Sequence, residues 1–124
     1  MRIHFIVGIL IILLASCSFQ EAAPADSGVE GQVYLGPMCP LVQEGQPCPN
    51  QPYQATLSVN GRDGRRIAQV QTDPQGHFKV SLKPGSYILH PESPNVMPFA
   101  AEQTFGVLAG QFTQLTVMYD SGIR

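Results

Sequence analysis

Residues 66–90, RIAQVQTDPQGHFKVSLKPGSYILH, decide the fold class. Apolar residues recur at every second position on both sides of a short turn: Ala68, Val70, Phe78, Val80 and Leu82. Alternation with a period of two predicts β-strands that have one buried face and one face in water. The turn at residues 73–76 (DPQG) fits a type I geometry, with Pro at its second position and Gly at its fourth. This stretch therefore predicts two strands joined by a tight turn.

The same alternation continues in both directions from this stretch, and Gly- and Pro-containing turns interrupt it at short intervals. The predicted strands are Val29–Leu35, Tyr53–Asn60, Arg66–Thr72, His77–Leu82, Ser86–His90, Thr104–Leu108 and Phe112–Tyr119. Seven short strands separated by turns favour an all-β, Ig-like sandwich with Greek-key connections. A small closed barrel has the same alternation and stays open as the second architecture.

Two short motifs narrow the fold further. Thr72-Asp73-x-x-Gly76-x-Phe78, followed by Leu82-x-Pro84-Gly85-x-Tyr87, resembles the carboxypeptidase regulatory-like domain. The resemblance covers about residues 29–124 and implies a transthyretin-like (prealbumin-like) seven-stranded sandwich. Residues 36–53 and 119–124 are similar to a small bacterial lipoprotein subgroup of that family. In carboxypeptidases this domain is an accessory to a separate catalytic domain, so the resemblance implies a module without catalytic activity.

The N-terminus has the pattern of an exported lipoprotein. Arg2 supplies a positive charge, and residues 5–14 (FIVGILIILL) form an apolar run that is too short to span a bilayer, which needs about 20 residues. Leu14-Ala15-Ser16-Cys17 then resembles the bacterial lipobox, in which the cysteine receives a diacylglyceryl group and the chain is cut before it. A plain secretory signal cut near Ala23 is the alternative.

This pattern predicts the domain organisation and the location. Residues 1–16 are the signal peptide, residues 17–28 are the lipidated, palmitate-bearing Cys17 with a flexible tether, and residues 29–124 are the sandwich. Two or more acyl chains hold a protein stably to a membrane. We therefore expect an extracytoplasmic protein that is lipid-anchored to the bacterial cell membrane or outer membrane.

Two cysteines remain once Cys17 carries lipid. Cys39 and Cys48 lie in a Pro-rich loop and are expected to form a disulfide bond in the oxidising space outside the cytoplasm. A zinc site with His77 and His90 is the sharper alternative, but neither pair has the spacing that is typical of zinc ligands. We therefore predict no metal and no cofactor.

Catalytic motifs do not fit the chain, and we predict that it is not an enzyme. The hydroxyisourate hydrolases on transthyretin-like folds end in Tyr-Arg-Gly-Ser, whereas this chain ends in Ser-Gly-Ile-Arg. The intradiol dioxygenases bind iron through a close H-x-H pair, whereas His77 and His90 are far apart in sequence. No G-x-S-x-G elbow or phosphate-binding loop occurs.

Charge gives little information about a partner. The net charge is −2, and the sequence has no basic stripe, which argues against a nucleic-acid partner. Arg62, Arg65 and Arg66 could contact an anion or a phosphate, or they could simply be solvated at a hairpin tip.

The expected function is therefore a lipid-anchored cell-envelope module that is non-catalytic and binds a protein or a glycan, or acts structurally. If it has a binding surface, the loops 37–52, 61–66 and 91–101 are the candidates. Met97 and Phe99 in the last loop are either binding residues or, as we favour, caps on the open end of the core. The alternative function is a small-molecule or metal-binding lipoprotein, or a minor hydrolase, that uses the 37–52 loop with His77 and His90.

Overall fold

The computed structural model describes residues 26–40, 45 and 47–123, and it is all-β over this part of the chain. The predicted signal peptide, Cys17 and most of the predicted tether lie outside the described residues. The strands are β1 (Gly28–Gly36), β2 (Gln51–Pro52), β3 (Thr56–Gly61), β4 (Arg66–Gln71), β5 (His77–Ser81), β6 (Gly85–Pro91), β7 (Gln103–Val107) and β8 (Phe112–Asp120).

These strands form two four-stranded sheets in a sandwich-like arrangement. In the first sheet, β1 pairs in parallel with β8 from Gly28 to Gly36. The opposite edge of β1 pairs antiparallel with β5 over its first half and with β2 near its end. The second sheet has the order β4-β3-β6-β7, and all its pairs are antiparallel.

All seven predicted strand regions contain strands, but the predicted count of seven is wrong because the structure has eight. The additional strand, β2, has only two residues. The predicted strand Tyr53–Asn60 forms only from Thr56 onward, because the chain passes from one sheet to the other at this point. The Tyr53 amide donates to the Val33 carbonyl in the first sheet over 3.1 Å, whereas Thr56 pairs with Gln71 in the second.

The core lies between the sheets and follows the alternation read from the sequence. Its large apolar members are all buried: Val29, Val33, Leu57, Val59, Phe78, Leu82, Tyr87, Leu89, Phe105, Val107, Val117 and Tyr119. Ala68 and Val70 of the edge strand β4 are only partly buried and pack against the others. The period-of-two pattern therefore identified the buried face of every predicted strand.

The strand directions bring distant segments together at each end of the sandwich. The N-terminal end consists of residues 26–28, the β3–β4 turn, residues 82–85 and the β7–β8 turn. The opposite end, here called the disulfide end, consists of the described residues of 36–52, residues 72–76, residues 91–102 and residues 120–123.

The sandwich begins earlier than the sequence predicts. Ser27 is fully buried, and its hydroxyl donates to the Leu82 carbonyl over 2.7 Å. Gly28 already pairs with Ser81 and Phe112 in the first sheet, and a Cβ at this position would overlap the Val80 carbonyl oxygen. These two residues, expected in the tether, are therefore part of the folded domain.

Candidate functional surfaces

The predicted disulfide is present at the disulfide end. Cys39 and Cys48 are bonded, and their Cα atoms lie 6.2 Å apart. The loop that they close is fastened to the first sheet because β2, immediately after Cys48, pairs with Tyr34 and Leu35. The Ser121 hydroxyl also donates to the Pro37 carbonyl over 2.6 Å, which ties the start of this loop to the C-terminal segment.

The structure does not bring His77 and His90 together. His77 begins β5 in the first sheet, where its Nδ1 lies 3.6 Å from an Asp73 carboxylate oxygen. His90 lies on β6 in the second sheet, where its Nδ1 is 2.8 Å from Glu102 Oε1. The two histidines therefore lie on different sheets, each beside its own acidic residue. Within the described residues, no group of three His, Cys, Asp or Glu side chains is arranged to hold a metal ion.

A chain of polar contacts joins residues of the second sheet near the disulfide end. Besides its contact with Glu102, His90 has its Nε2 3.8 Å from Glu92 Oε2. Glu92 Oε1 also accepts a hydrogen bond from the Ser58 hydroxyl over 2.7 Å, and Gln69 Nε2 donates to that hydroxyl over 3.3 Å. These groups satisfy one another, so the arrangement is a structural network that fixes the segment after β6.

Tyr119 is a titratable residue in the core of the sandwich. Its side chain is fully buried, and its hydroxyl donates to the Glu92 carbonyl over 2.7 Å. Burial raises the pKa of the Tyr119 phenol far above its usual value, and the nearby Tyr53 and Glu92 raise it further. Tyr119 is therefore a neutral residue of the core. The ring of Tyr53 packs edge-on against it, with 5.0 Å between the ring centroids.

An open depression of about 780 Å³ covers the outer face of the first sheet around Gly31. The charged and amide groups in it already have partners. Gln114 Nε2 donates to Glu30 Oε1 over 2.6 Å, and the Lys79 ammonium lies 3.9 Å from Glu30 Oε2 and 4.2 Å from the centre of the Phe112 ring. The polar side chains at the bottom of the depression therefore pair with one another.

The predicted arginine cluster lies on the β3–β4 turn at the N-terminal end. The Gly61 amide donates to the Arg65 carbonyl over 2.8 Å, and Gly64 takes a positive φ of 84° to close the turn. Asp63 Oδ1 accepts the Arg65 backbone amide over 3.0 Å, so this carboxylate serves the turn. Arg62, Arg65 and Arg66 are all exposed, and no ion pair involves them within the described part of the chain.

Lys83 joins these arginines at the same end, which sequence analysis missed. It follows β5 in the connection to β6, and its carbonyl accepts the Tyr87 hydroxyl. Tyr87 in turn pairs with Gly61 at the start of the β3–β4 turn. Strands β4 and β5 lie between Arg66 and Lys83 in the sequence. That both residues lie at the N-terminal end of the sandwich follows only from the strand pairing, which the sequence pattern does not give.

Met97 and Phe99 lie at the disulfide end, where each is about half exposed. Phe99 pairs its backbone with Asp120, with N···O distances of 3.1 and 2.7 Å. This pairing fixes the loop, and 53% of Phe99 and 41% of Met97 remain exposed.

Comparison with known proteins does not show a family for this chain. No protein-family model and no curated protein matches the chain. Among solved structures, one match is the Bacillus anthracis TIE protein, with 18% sequence identity and a TM-score of 0.49. The match covers 77% of this chain but only 17% of that much longer one. Within the described residues, the structure contains no helix able to cross a membrane.

Proposed function

We propose that the chain is a non-catalytic, lipid-anchored cell-envelope protein of bacteria, whose sandwich binds a protein or a glycan or acts structurally. The observation that carries this proposal is which of its cysteines form the disulfide bond. The chain has three, and the structure pairs Cys39 with Cys48. Cys17 is left outside the disulfide, directly after an apolar run and the small residues Ala15 and Ser16. A disulfide of this kind also fits an oxidising compartment outside the cytoplasm.

We propose the carboxypeptidase regulatory-like domain, with its transthyretin-like Greek-key topology, as the relative of this sandwich. The geometry of the Thr72–Gly76 turn supports it. Asp73 Oδ1 accepts the backbone amides of Gln75 and His77 over 2.9 and 2.8 Å. Gly76 has a φ of 81°, and a Cβ on it would overlap the Val33 carbonyl oxygen. Asp73 and Gly76, which the motif shares with that domain, are therefore both needed for the turn in this chain.

The distance between the sandwich and the membrane follows from the proposed anchor. About ten residues separate Cys17 from Ser27, and a flexible chain of that length has a root-mean-square reach of roughly 15–20 Å. The domain is thus kept beside the membrane surface, and its partners are components of the envelope that come within this reach.

The test is processing and membrane partition of the full chain expressed in a bacterium. The wild-type protein should enter the detergent phase of Triton X-114 and incorporate labelled palmitate. Cys17→Ser should incorporate no palmitate and keep its uncleaved signal peptide. The matched control is the double variant Cys39→Ser/Cys48→Ser, which removes the other two cysteines and should still be labelled. Equal labelling of wild type and Cys17→Ser would contradict the proposal.

A further inference from the structure

We propose that the N-terminal end of the sandwich rests on the membrane that holds the lipid, with the arginines of the β3–β4 turn against anionic phospholipid headgroups. This inference rests on the proposed function, because lipid on Cys17 supplies the attachment. It assigns an orientation to the domain: the disulfide end, with Met97 and Phe99, points away from the bilayer and toward the envelope partner.

The first argument is that the chain enters the fold beside the arginines. Ser27 is bonded to Leu82 through both its hydroxyl and its carbonyl, over 2.7 and 3.0 Å. The next residue, Lys83, accepts the Tyr87 hydroxyl on its carbonyl, and Tyr87 pairs with Gly61. Gly61 donates to Arg65. A continuous series of contacts thus joins the point where the tether ends to the arginine turn.

The second argument is the separation of charge along the sandwich. Four of the five described cations lie at the N-terminal end: Arg62, Arg65, Arg66 and Lys83. The acidic residues Asp26 and Asp63 accompany them. The disulfide end carries Asp73, Glu92 and Glu102, and its residues 36–40, 45, 47–52, 72–76 and 91–102 include no Lys or Arg. A protein with a net charge of −2 therefore presents a net positive end where the tether enters, and an anionic surface attracts that end while repelling the other.

The third argument concerns the apolar residues at this end. Leu108, in the β7–β8 turn, is 65% exposed, and Ile67, next to Arg66, is 52% exposed. Exposed aliphatic side chains at the same end as the arginines fit the boundary between headgroups and acyl chains, where the apolar part enters and the cations stay among the phosphates.

The fourth argument is reach. Fully extended, the roughly ten residues from Cys17 to Ser27 span at most ~35 Å. The sandwich is about 30 Å long, because β1 has nine residues at ~3.3 Å each. To place the disulfide end on the membrane, the tether would have to be almost fully extended along the whole domain. With the N-terminal end down, no such extension is needed, since a random chain of this length reaches roughly 15–20 Å.

The experiment measures which end of the full lipidated protein lies near the bilayer. The protein is reconstituted into vesicles of phosphatidylcholine with 30% phosphatidylglycerol, and a spin label is attached at Leu108→Cys or, as the matched control, at Val96→Cys. Val96 is 85% exposed and lies at the disulfide end. The label at 108 should be accessible to oxygen dissolved in the lipid and shielded from a water-soluble nickel reagent. The label at 96 should show the reverse.

Charge is tested by varying the lipid and the turn. Electrostatic attraction contributes on the order of fivefold per arginine to the population at an anionic surface. The triple variant Arg62→Gln/Arg65→Gln/Arg66→Gln should therefore shift the label at 108 toward water by up to about a hundredfold. Vesicles of phosphatidylcholine alone should have a similar effect. The charge-conserving control Arg62→Lys/Arg65→Lys/Arg66→Lys keeps all three cations and should leave the label where it is in wild type.

The outcomes separate this inference from the proposed function. Protein that does not float with vesicles at all would contradict the lipid anchor. Protein that floats with the label at 108 in water would overturn the orientation alone, as would equal results at positions 108 and 96. A label at 108 that responds to a soluble anionic polysaccharide but not to phosphatidylglycerol would assign the arginines to a glycan and also overturn the inference.

Discussion

Ser27 and Leu82 exchange two hydrogen bonds that fix where the chain enters the sandwich. The Ser27 hydroxyl donates to the Leu82 carbonyl over 2.7 Å, and the Leu82 amide donates to the Ser27 carbonyl over 3.0 Å. Both residues are buried. The chain therefore enters the sandwich at one defined point, beside the β5–β6 connection.

Removal of the Ser27 hydroxyl should destabilise the domain. Ser27→Ala deletes a buried hydrogen bond, and we expect a loss of about 1–2 kcal/mol in the free energy of unfolding. Urea denaturation of the mature protein in detergent, followed by circular dichroism, measures the loss. Ser81→Ala, at an exposed position of the neighbouring strand, is the control and should stay within about 0.5 kcal/mol of wild type. Equal stabilities of the two variants would contradict the role of Ser27.

Gly31 should tolerate no side chain. Its backbone runs so close to β8 that a Cβ would overlap the Leu115 carbonyl oxygen, and the Phe78 ring lies 3.1 Å from the same position. Gly31→Ala should therefore cost about 3 kcal/mol or more, because the parallel pairing of β1 with β8 must open. Gly106→Ala is the matched control on an exposed strand position, where the nearest other atom is 4.0 Å away. Thermal unfolding of both variants should show a large decrease in Tm only for Gly31→Ala.

Loss of the disulfide should weaken the domain without preventing its anchoring. The bond closes a loop of about ten residues, which in the chain-entropy model stabilises by about 2.5–3 kcal/mol. Cys39→Ser/Cys48→Ser should unfold at correspondingly lower urea concentration. Dithiothreitol should lower the stability of wild type to that of the variant and leave the variant unchanged. An effect of the reductant on the double variant would show that another thiol contributes.

Alkaline pH should destabilise the protein through Tyr119. Burial raises the pKa of this phenol in the folded state above the ordinary 10.0 that it has in the unfolded chain. The folded state therefore holds the proton more tightly, so this contribution is complete below about pH 10 and is lost as the pH rises above it. Urea denaturation from pH 8 to pH 11 should show this decline. Tyr119→Phe cannot ionise and should show a shallower decline, whereas Tyr34→Phe should follow wild type.

The strand pattern was predictable because burial in a sandwich leaves a direct trace in the sequence. Leu57 and Val59, or Tyr87 and Leu89, repeat with the period of the strand and are all buried. The eighth strand was not predictable, since β2 is two exposed residues that pair only because the disulfide loop returns beside Leu35. The crossing at Tyr53–Ala55 was missed for a related reason. Alternation continues through it while the chain changes sheets, and Thr72 fixes the crossing from a distant position by accepting the Ala55 amide over 2.9 Å.

The candidate surfaces were less predictable than the strands. Cys39 and Cys48 were paired correctly from their number and the expected compartment. Strand order decides that Arg62 and Arg66 lie at the same end as Lys83. It also decides that His77 and His90 lie on different sheets. The alternation of apolar residues does not encode strand order. The pairing of the Phe99 backbone with Asp120 was not predictable either, because it joins two segments that are far apart in the sequence.

The central claim is that Cys17 is the lipidated first residue of the mature protein, and the intact mass of protein purified from bacterial membranes tests it most directly. The account predicts a chain that lacks residues 1–16 and carries the added mass of a diacylglyceryl group and its acyl chains, with Cys39 and Cys48 oxidised. A mass equal to the whole chain, or to a chain cut near Ala23 without lipid, would contradict it.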